Sequence, residues 1–231
     1  MLFRSAEVEP ELAHKVNAVA PGVLAEQMKK LGGALIHYST DYVFDGAKGR
    51  SYLETDQPNP INQYGVGKLA GEQAVQAVGG IALTFRTSWV YSLRVGGFVN
   101  KVLAWARQQE VMRIVDDQTG SPTWARMLAE ATAQVIARGG GNPLDYLQQH
   151  SGLYHLAGAG AASRYEWARE VIERDPKRDE QIATQLLPAK TAEFPNPASR
   201  PVFSALDCSK FSETFQLPLP DWKESIQLMY G

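Results

Sequence analysis

The stretch YGVGK sets a phenol, Tyr64, and an ammonium, Lys68, four residues apart in a segment that reads as helix. Both side chains therefore lie on one helix face. A free phenol has a pKa of about 10 and exchanges protons poorly at neutral pH. A neighbouring ammonium stabilises the phenolate and lowers that pKa. A tyrosine so placed can act as general acid toward a carbonyl under reduction. The same spacing also occurs on many helices as a solvated pair, so these residues by themselves are a weak signal.

A second polar cluster lies upstream in HYSTDYVFDG, His37 to Gly46. It follows the apolar run Ala34–Ile36, which reads as a buried strand, and presents Ser39, Thr40 and Asp41 in a row. A threonine hydroxyl at that strand end can hydrogen-bond the same carbonyl oxygen or the phenol, if its strand neighbours the next one, as βαβ units usually arrange. The next strand-like run, IALTFRT (81–87), also ends in a polar and aromatic cluster, TSWVY (87–91). Ligands of open α/β sheets bind outside the carboxyl ends of strands.

These residues need a scaffold, and the hydrophobic pattern supplies one. Apolar residues at 12, 16, 20, 24, 28 and 31 predict a helix over 9–31, with a kink at Pro21 and a stop at Gly32-Gly33. A strand is expected at 34–39, then a loop rich in Gly, Asp and Pro, then a helix from Gln63 to Val78. After the strand at 81–87 come a helix near 98–109, a short strand at 112–115, and a helix capped by Thr123 that runs to Ala137. This alternation argues for a parallel sheet with covering helices. Beyond residue 140 the pattern loosens: a strand at 153–157, a helix capped by Ser163 through Glu173, and a strand at Ile182–Leu187. A Pro-rich loop (188–201) and short helices at 208–215 and 220–229 complete it. The expected organisation is residues 1–140 as an α/β part holding Tyr64 and Lys68, with residues 141–231 as a smaller α+β region packed on it, without a linker.

Composition narrows the function classes. The chain has 231 residues, 44% apolar and 21% charged, and a formal charge of −2. That is ordinary for a globular chain with a sizeable core and gives no basic stripe for nucleic acid. The single cysteine, Cys208, excludes an internal disulfide and fits a reducing compartment. No apolar run has the length of a membrane span, and MLFRSAEVEP lacks the apolar core of a signal peptide, so a cytoplasmic location is expected. His14, His37, His150 and His155 follow no metal-ligand spacing, and no metal site is expected.

Taken together, HYSTDYVFDG, the pattern E-T-D-x-P-x-P-x-x-x-Y-G-x-x-K-L-A-G-E (54–72), RTSWVY (86–91), DDQTGSPT (116–123), GLYHLAG (152–158) and ASRP (198–201) occur in this order. The joint pattern closely resembles the dTDP-4-dehydrorhamnose reductases, a family of extended short-chain dehydrogenases/reductases, from about Ser5 onward. The resemblance implies reduction of the 4-keto group of dTDP-6-deoxy-L-lyxo-4-hexulose to dTDP-L-rhamnose with NADPH or NADH. It implies Tyr64 as proton donor, Lys68 as the residue that lowers its pKa and holds the nicotinamide ribose, and Thr40 as the hydroxyl that tunes the tyrosine. Ser39 joins Tyr64 and Lys68 on the cofactor side. Thr40, Asp41 and Trp89 match positions that contact the sugar, and Arg200 would bind the diphosphate by a charge-assisted pair. For three of these a plainer reading stands beside the first: Asp41 as a turn residue, Trp89 as a core aromatic, Arg200 as half of a surface salt bridge.

The resemblance begins inside the family's fold, so the expected fold class is an amino-terminally truncated Rossmann-like parallel sheet plus a smaller α+β carboxyl-terminal substrate region. The family's Gly-rich turn, which holds the cofactor pyrophosphate, has no match. GAGAAS (158–163) lacks the third glycine and falls in the family's carboxyl-terminal part, so Ser163 reads as a helix cap. Weak or absent NADPH binding and exposed apolar faces on the sheet and on helix 9–31 are the expectations that follow. Gly97-Phe98 stands where the family usually has Asn-Phe, a departure that removes a side-chain hydrogen bond. The expected partners are a dTDP-sugar and a second copy or other partner over the open sheet. Nucleic acid and membrane are not expected. The alternative to an enzyme is a non-catalytic binding or regulatory module derived from the same family.

Overall fold

The computed structural model describes every residue except Met1, Leu2, Arg4 and Val95. Its central sheet has the strand order β1 (Ala34–Thr40), β2 (Ile81–Thr87), β7 (Gly152–His155), all parallel. The register pairs Ala34 with Ile81 and Thr40 with Thr87, so the polar ends of the first two strands finish side by side. The helix α4 (Gln63–Val78) connects them. It begins where Asn62 accepts a hydrogen bond from the Gly65 amide at 2.8 Å, and it stops at Gly79, whose φ of 65° is left-handed.

Along β2 the side chains alternate between two buried environments. Leu83 and Phe85 pack with Leu128 and Val135 of α6 (Ala125–Ala137) and with Phe211 and Phe215 of α9 (Ser209–Phe215). Burying each of these large apolar groups contributes roughly 1.5–3 kcal/mol. The next residue, Arg86, turns the other way, to Glu72 on α4.

Ahead of β1 runs a rod made of α1 (Ser5–Val8), α2 (Pro10–His14), a π-helical turn (Lys15–Val19) and α3 (Ala20–Lys30). The kink expected at Pro21 takes the form of that π turn, one step earlier. Proline cannot bond the carbonyl four residues back and its ring crowds it. Here that carbonyl is Asn17's, and the widened turn lets it face α4. A Cβ on Gly71 would sit 2.2 Å from it, so the close approach of rod and helix requires glycine there. The rod turns small residues, Ala13, Ala18 and Ala25, inward. Val8, Leu12, Val16, Val19 and Val23 face outward, so the open apolar face expected on this helix is present.

The remaining strands form small two-stranded sheets. β3 (Val90–Tyr91) pairs with β6 (Thr123–Trp124), and β5 (Thr119–Gly120) pairs with β8 (Ala162–Ser163). β4 (Val111–Val115), read as part of the main alternation, pairs instead with β9 (Gln185–Ala189). Its inward residues Met112 and Ile114 join a second core with Val99 and Val102 of α5 (Phe98–Ala106), Trp167 of α8 (Arg164–Glu173), and Ile226 of α10 (Trp222–Tyr230). An additional helix, α7 (Pro143–Gln149), leads into β7, in a stretch where the hydrophobic pattern gave no element. Among the described residues no helix is long and apolar enough to cross a membrane.

Candidate active site

Thr40 ends β1 and caps a short 3-10 turn, Asp41–Val43, by accepting the Tyr42 amide at 3.2 Å. Its hydroxyl donates to Asp41 Oδ1 at 3.1 Å. Asp41 is 3% exposed, and its other oxygen accepts from Ser88 at 2.9 Å and from Ser204 at 2.6 Å. Burial raises its pKa to about 6; the three hydroxyls and the nearby Arg164 oppose that shift. Asp41 thus ties together the ends of β1 and β2 and a segment from the carboxyl-terminal region. Both of its oxygens are engaged.

Tyr64 stands in the first turn of α4, its ring edge-on to Tyr42 (6.4 Å between centroids) and to Phe3 (6.0 Å). Tyr64 and Thr40 lie close together, and the threonine hydroxyl pulls the pKa of the phenol down. Burial, with Asp41 behind it, wins and pushes the phenol up to about 12. The expected lowering by Lys68 is absent from this balance. Lys68 Nζ donates instead to the Tyr38 carbonyl on β1 at 2.5 Å. Burial lowers the pKa of the ammonium, and Glu72, one turn further along α4, opposes that.

Beneath Lys68 lies a buried ionic network that the sequence reading passed over. Arg86 grips Glu72 through Nε at 2.9 Å and through its second nitrogen at 2.7 Å. Ser39 Oγ donates to the same carboxylate. Ser39, expected on the cofactor side, is therefore buried with its hydroxyl turned to α4. The signal was present in the spacing, since Tyr64, Lys68 and Glu72 follow one another at four-residue steps on one helix face.

Trp89, just past β2, has a φ of 42°, a strained backbone for a bulky side chain. Its indole lies over Gly120, where a Cβ would come within 2.4 Å of the ring, and stacks on Trp167 at 5.6 Å. The segment DDQTGSPT packs here as well. Ser121 N donates to Ser88 Oγ at 3.3 Å. Thr123 does not cap α6 as expected. Its hydroxyl donates to the Ser121 carbonyl at 2.9 Å and accepts the Gly158 amide at 3.1 Å, which leaves Trp124 at the cap position without a side-chain bond. Ser163 does cap α8, in a reciprocal box with Glu166 at 3.0 and 2.7 Å.

Next to this group opens a cavity of about 440 Å³, lined in part by Gly97, Phe98, Lys101, Gln118, Arg164 and Arg200. The size suits a drug-sized or nucleotide-sized ligand. Gly97 offers no side chain; its amide is held by Asn100 Oδ1 at 3.2 Å. Arg200 lies 5.0 Å from the Phe3 ring and interacts with the Tyr42 hydroxyl. The salt bridge proposed for it as the plainer reading is not among those formed by the described residues. Tyr42 and Arg164 had no distinguishing spacing in the sequence; only the fold brings them to the same place. Tyr42 links the cavity to Tyr64, so the arrangement can hold an anion at one end and protonate a carbonyl at the other.

The chain matches the RmlD substrate binding domain family over residues 3–231. It is 40% identical over 232 residues to a dTDP-4-dehydrorhamnose reductase of Burkholderia thailandensis, covering 97% of this chain and 76% of that one. In three dimensions it is similar to a dTDP-4-dehydrorhamnose reductase of Clostridium acetobutylicum (TM-score 0.88, 30% identity, 99% of this chain and 76% of that one). A second similar structure is the Bacillus anthracis dTDP-4-dehydrorhamnose reductase in complex with NADP (TM-score 0.86, 29% identity, 99% and 76%).

Proposed function

The chain belongs to the RmlD substrate binding domain family, whose matched relatives are dTDP-4-dehydrorhamnose reductases, and from this we propose how its residues carry out that reduction. The reaction is the NAD(P)H-dependent conversion of dTDP-6-deoxy-L-lyxo-4-hexulose to dTDP-L-rhamnose. The observation that carries the reading is Tyr64 beside Thr40 at the carboxyl end of β1, with Lys68 one turn on and a cation-lined cavity adjoining.

A reduced nicotinamide, when bound, supplies the hydride that adds to the carbonyl carbon. Tyr64 gives its phenolic proton to the carbonyl oxygen, completing the alcohol and leaving a phenolate. Thr40, positioned by Asp41 and the Tyr42 amide, can accept the phenolic O–H, or swing its own O–H from Asp41 to the carbonyl oxygen, and so fixes the direction of transfer. Lys68 fits the cofactor role. An ammonium has three N–H donors, and among the described residues only the Tyr38 carbonyl engages it, which leaves donors for ribose hydroxyls. Ser39 fits a cofactor contact poorly, because its hydroxyl is engaged by Glu72.

On the substrate side, Trp89 forms a wall for the sugar and Arg200 meets the diphosphate. Asp41 acts on the sugar through Thr40. Residues 1–140 would hold the proton-transfer groups and residues 141–231 the anion-binding end, although β7 of the second part completes the sheet of the first. A cytoplasmic setting and a second copy over the outward valines of the rod complete the proposal; light scattering checks the latter.

Incubation of the chain with NADPH and the dTDP-4-keto sugar, followed by loss of dihydronicotinamide absorbance and by product analysis, tests the reading. Absence of turnover with both reactants at saturation would overturn it. Fluorescence titration with NADPH measures how tightly the cofactor is held. The comparisons do not favour the alternative of a non-catalytic module.

A further inference from the structure

Arg164 opens α8, set there by the Ser163–Glu166 box. Its guanidinium carbon lies 3.7 Å from the centre of the Trp89 ring, 5.2 Å from Phe98 and 5.7 Å from Trp167. Aromatic rings thus enclose the charged group where it borders the cavity. Attraction to ring faces stabilises such a cation, but by less than its desolvation costs.

Its polar neighbours do not close that gap. Among the described residues no carboxylate lies within ion-pair distance of Arg164. Asp41 attracts it through space only, and the Asp41 oxygens are already engaged by Thr40, Ser88 and Ser204. Arg200 repels it, and the Tyr42 hydroxyl interacts with both guanidinium groups. Lys101 adds a third cation to the same cavity, whereas Arg113 there is already paired with Glu193. Two forked donors facing one space with no internal anion suit a ligand with several anionic oxygens, and a guanidinium matches phosphate in plane and spacing.

We propose that Arg164 is a substrate-binding residue that clamps the diphosphate of a nucleoside-diphosphate sugar jointly with Arg200. Through its stack on Trp89 it also couples diphosphate binding to the position of the sugar wall. The sugar half of this inference rests on the reductase reading; the diphosphate half does not.

Calorimetric titration of the whole chain with dTDP and with thymidine tests it, comparing wild type, Arg164→Gln, Arg164→Lys and Arg200→Gln. A charge-assisted bond of this kind corresponds to about 10- to 100-fold in affinity. Arg164→Gln should lose that factor for dTDP and change little for thymidine, and Arg164→Lys should recover part of it. In turnover, Arg164→Gln should raise KM for the sugar nucleotide far more than it lowers kcat. A dTDP affinity within about twofold of wild type in a folded Arg164→Gln chain overturns the clamp, as does a wild-type chain that binds no dTDP. If Arg164→Gln does not fold, Arg164→Lys decides alone: undiminished dTDP affinity refutes the forked clamp, a loss of several-fold supports it. Tight dTDP binding that depends on Arg164, without turnover of the keto sugar, would refute the reductase reading and leave the clamp standing.

Discussion

Glu72 and Arg86 meet side on between α4 and β2, with bonds of 2.9 and 2.7 Å and side chains only 9% and 3% exposed. The pair does more than fill the interface. Glu72 lies one turn beyond Lys68, Arg86 lies two residues before Ser88, and Ser39 on the same carboxylate precedes Thr40. One carboxylate therefore fixes the three elements that carry the proton-transfer groups. Removing one member of a buried pair strands the other charge and costs about 3–5 kcal/mol. Glu72→Gln should lower the urea midpoint accordingly, while replacing both residues with methionine should cost less. Equal losses in the two variants would show that the charge pairing is not the source.

Tyr64→Phe removes a single oxygen from a helix turn that is capped independently by Asn62. The fold should be retained, by far-UV circular dichroism. Loss of a general acid contributes about 10²- to 10⁴-fold, and kcat should fall by that order. Unaltered kcat would remove Tyr64 from the mechanism.

Gly120 is the floor beneath the Trp89 indole, and a methyl there would come within 2.4 Å of the ring. Backbone strain at Trp89 already leaves the indole little freedom. Gly120→Ala should displace it at a cost of roughly 1–3 kcal/mol. The variant should show a raised KM for the sugar nucleotide and an altered near-ultraviolet dichroism. Unchanged values of both would separate Trp89 from the substrate.

His155 is fully buried at the end of β7, and its Nδ1 donates to the carbonyls of Tyr52 at 3.0 Å and Asp207 at 3.2 Å. Burial first, and Arg86 second, hold its pKa down to about 3, against 6.5 unperturbed. The unfolded chain takes up this proton first as pH falls. The folded state keeps its full His155 contribution above pH 6.5 and loses it progressively between 6.5 and about 3. A shift of that size is worth roughly 5 kcal/mol. Asp41 works in the opposite direction: its pKa is raised from 3.8 to about 6, so its contribution is complete below 3.8 and lost as pH rises through 6. Urea midpoints recorded from pH 7 down to pH 4 should fall less steeply for His155→Gln than for the wild type. Parallel slopes would mean that another group drives acid sensitivity.

The sequence by itself determined the local elements and the chemical types. The helical period and the glycines after Val78 marked α4, because periodicity and left-handed turns are local requirements. That Tyr64 and Lys68 share a helix face and that Thr40 ends a strand was legible for the same reason, since a strand end is marked by its loss of apolar residues. Tertiary structure alone decided what those groups touch. Lys68 turns to the Tyr38 carbonyl and not to the phenol, Ser39 turns inward to Glu72, and Thr123 bonds a loop in place of a helix end. β4 chose β9 because pairing depends on residues about seventy positions apart, which no local period encodes. Arg164 and Arg200 share a cavity for the same reason. The electrostatics of a site belong to the distances and desolvation that the fold imposes, and a sequence prints only which charges exist.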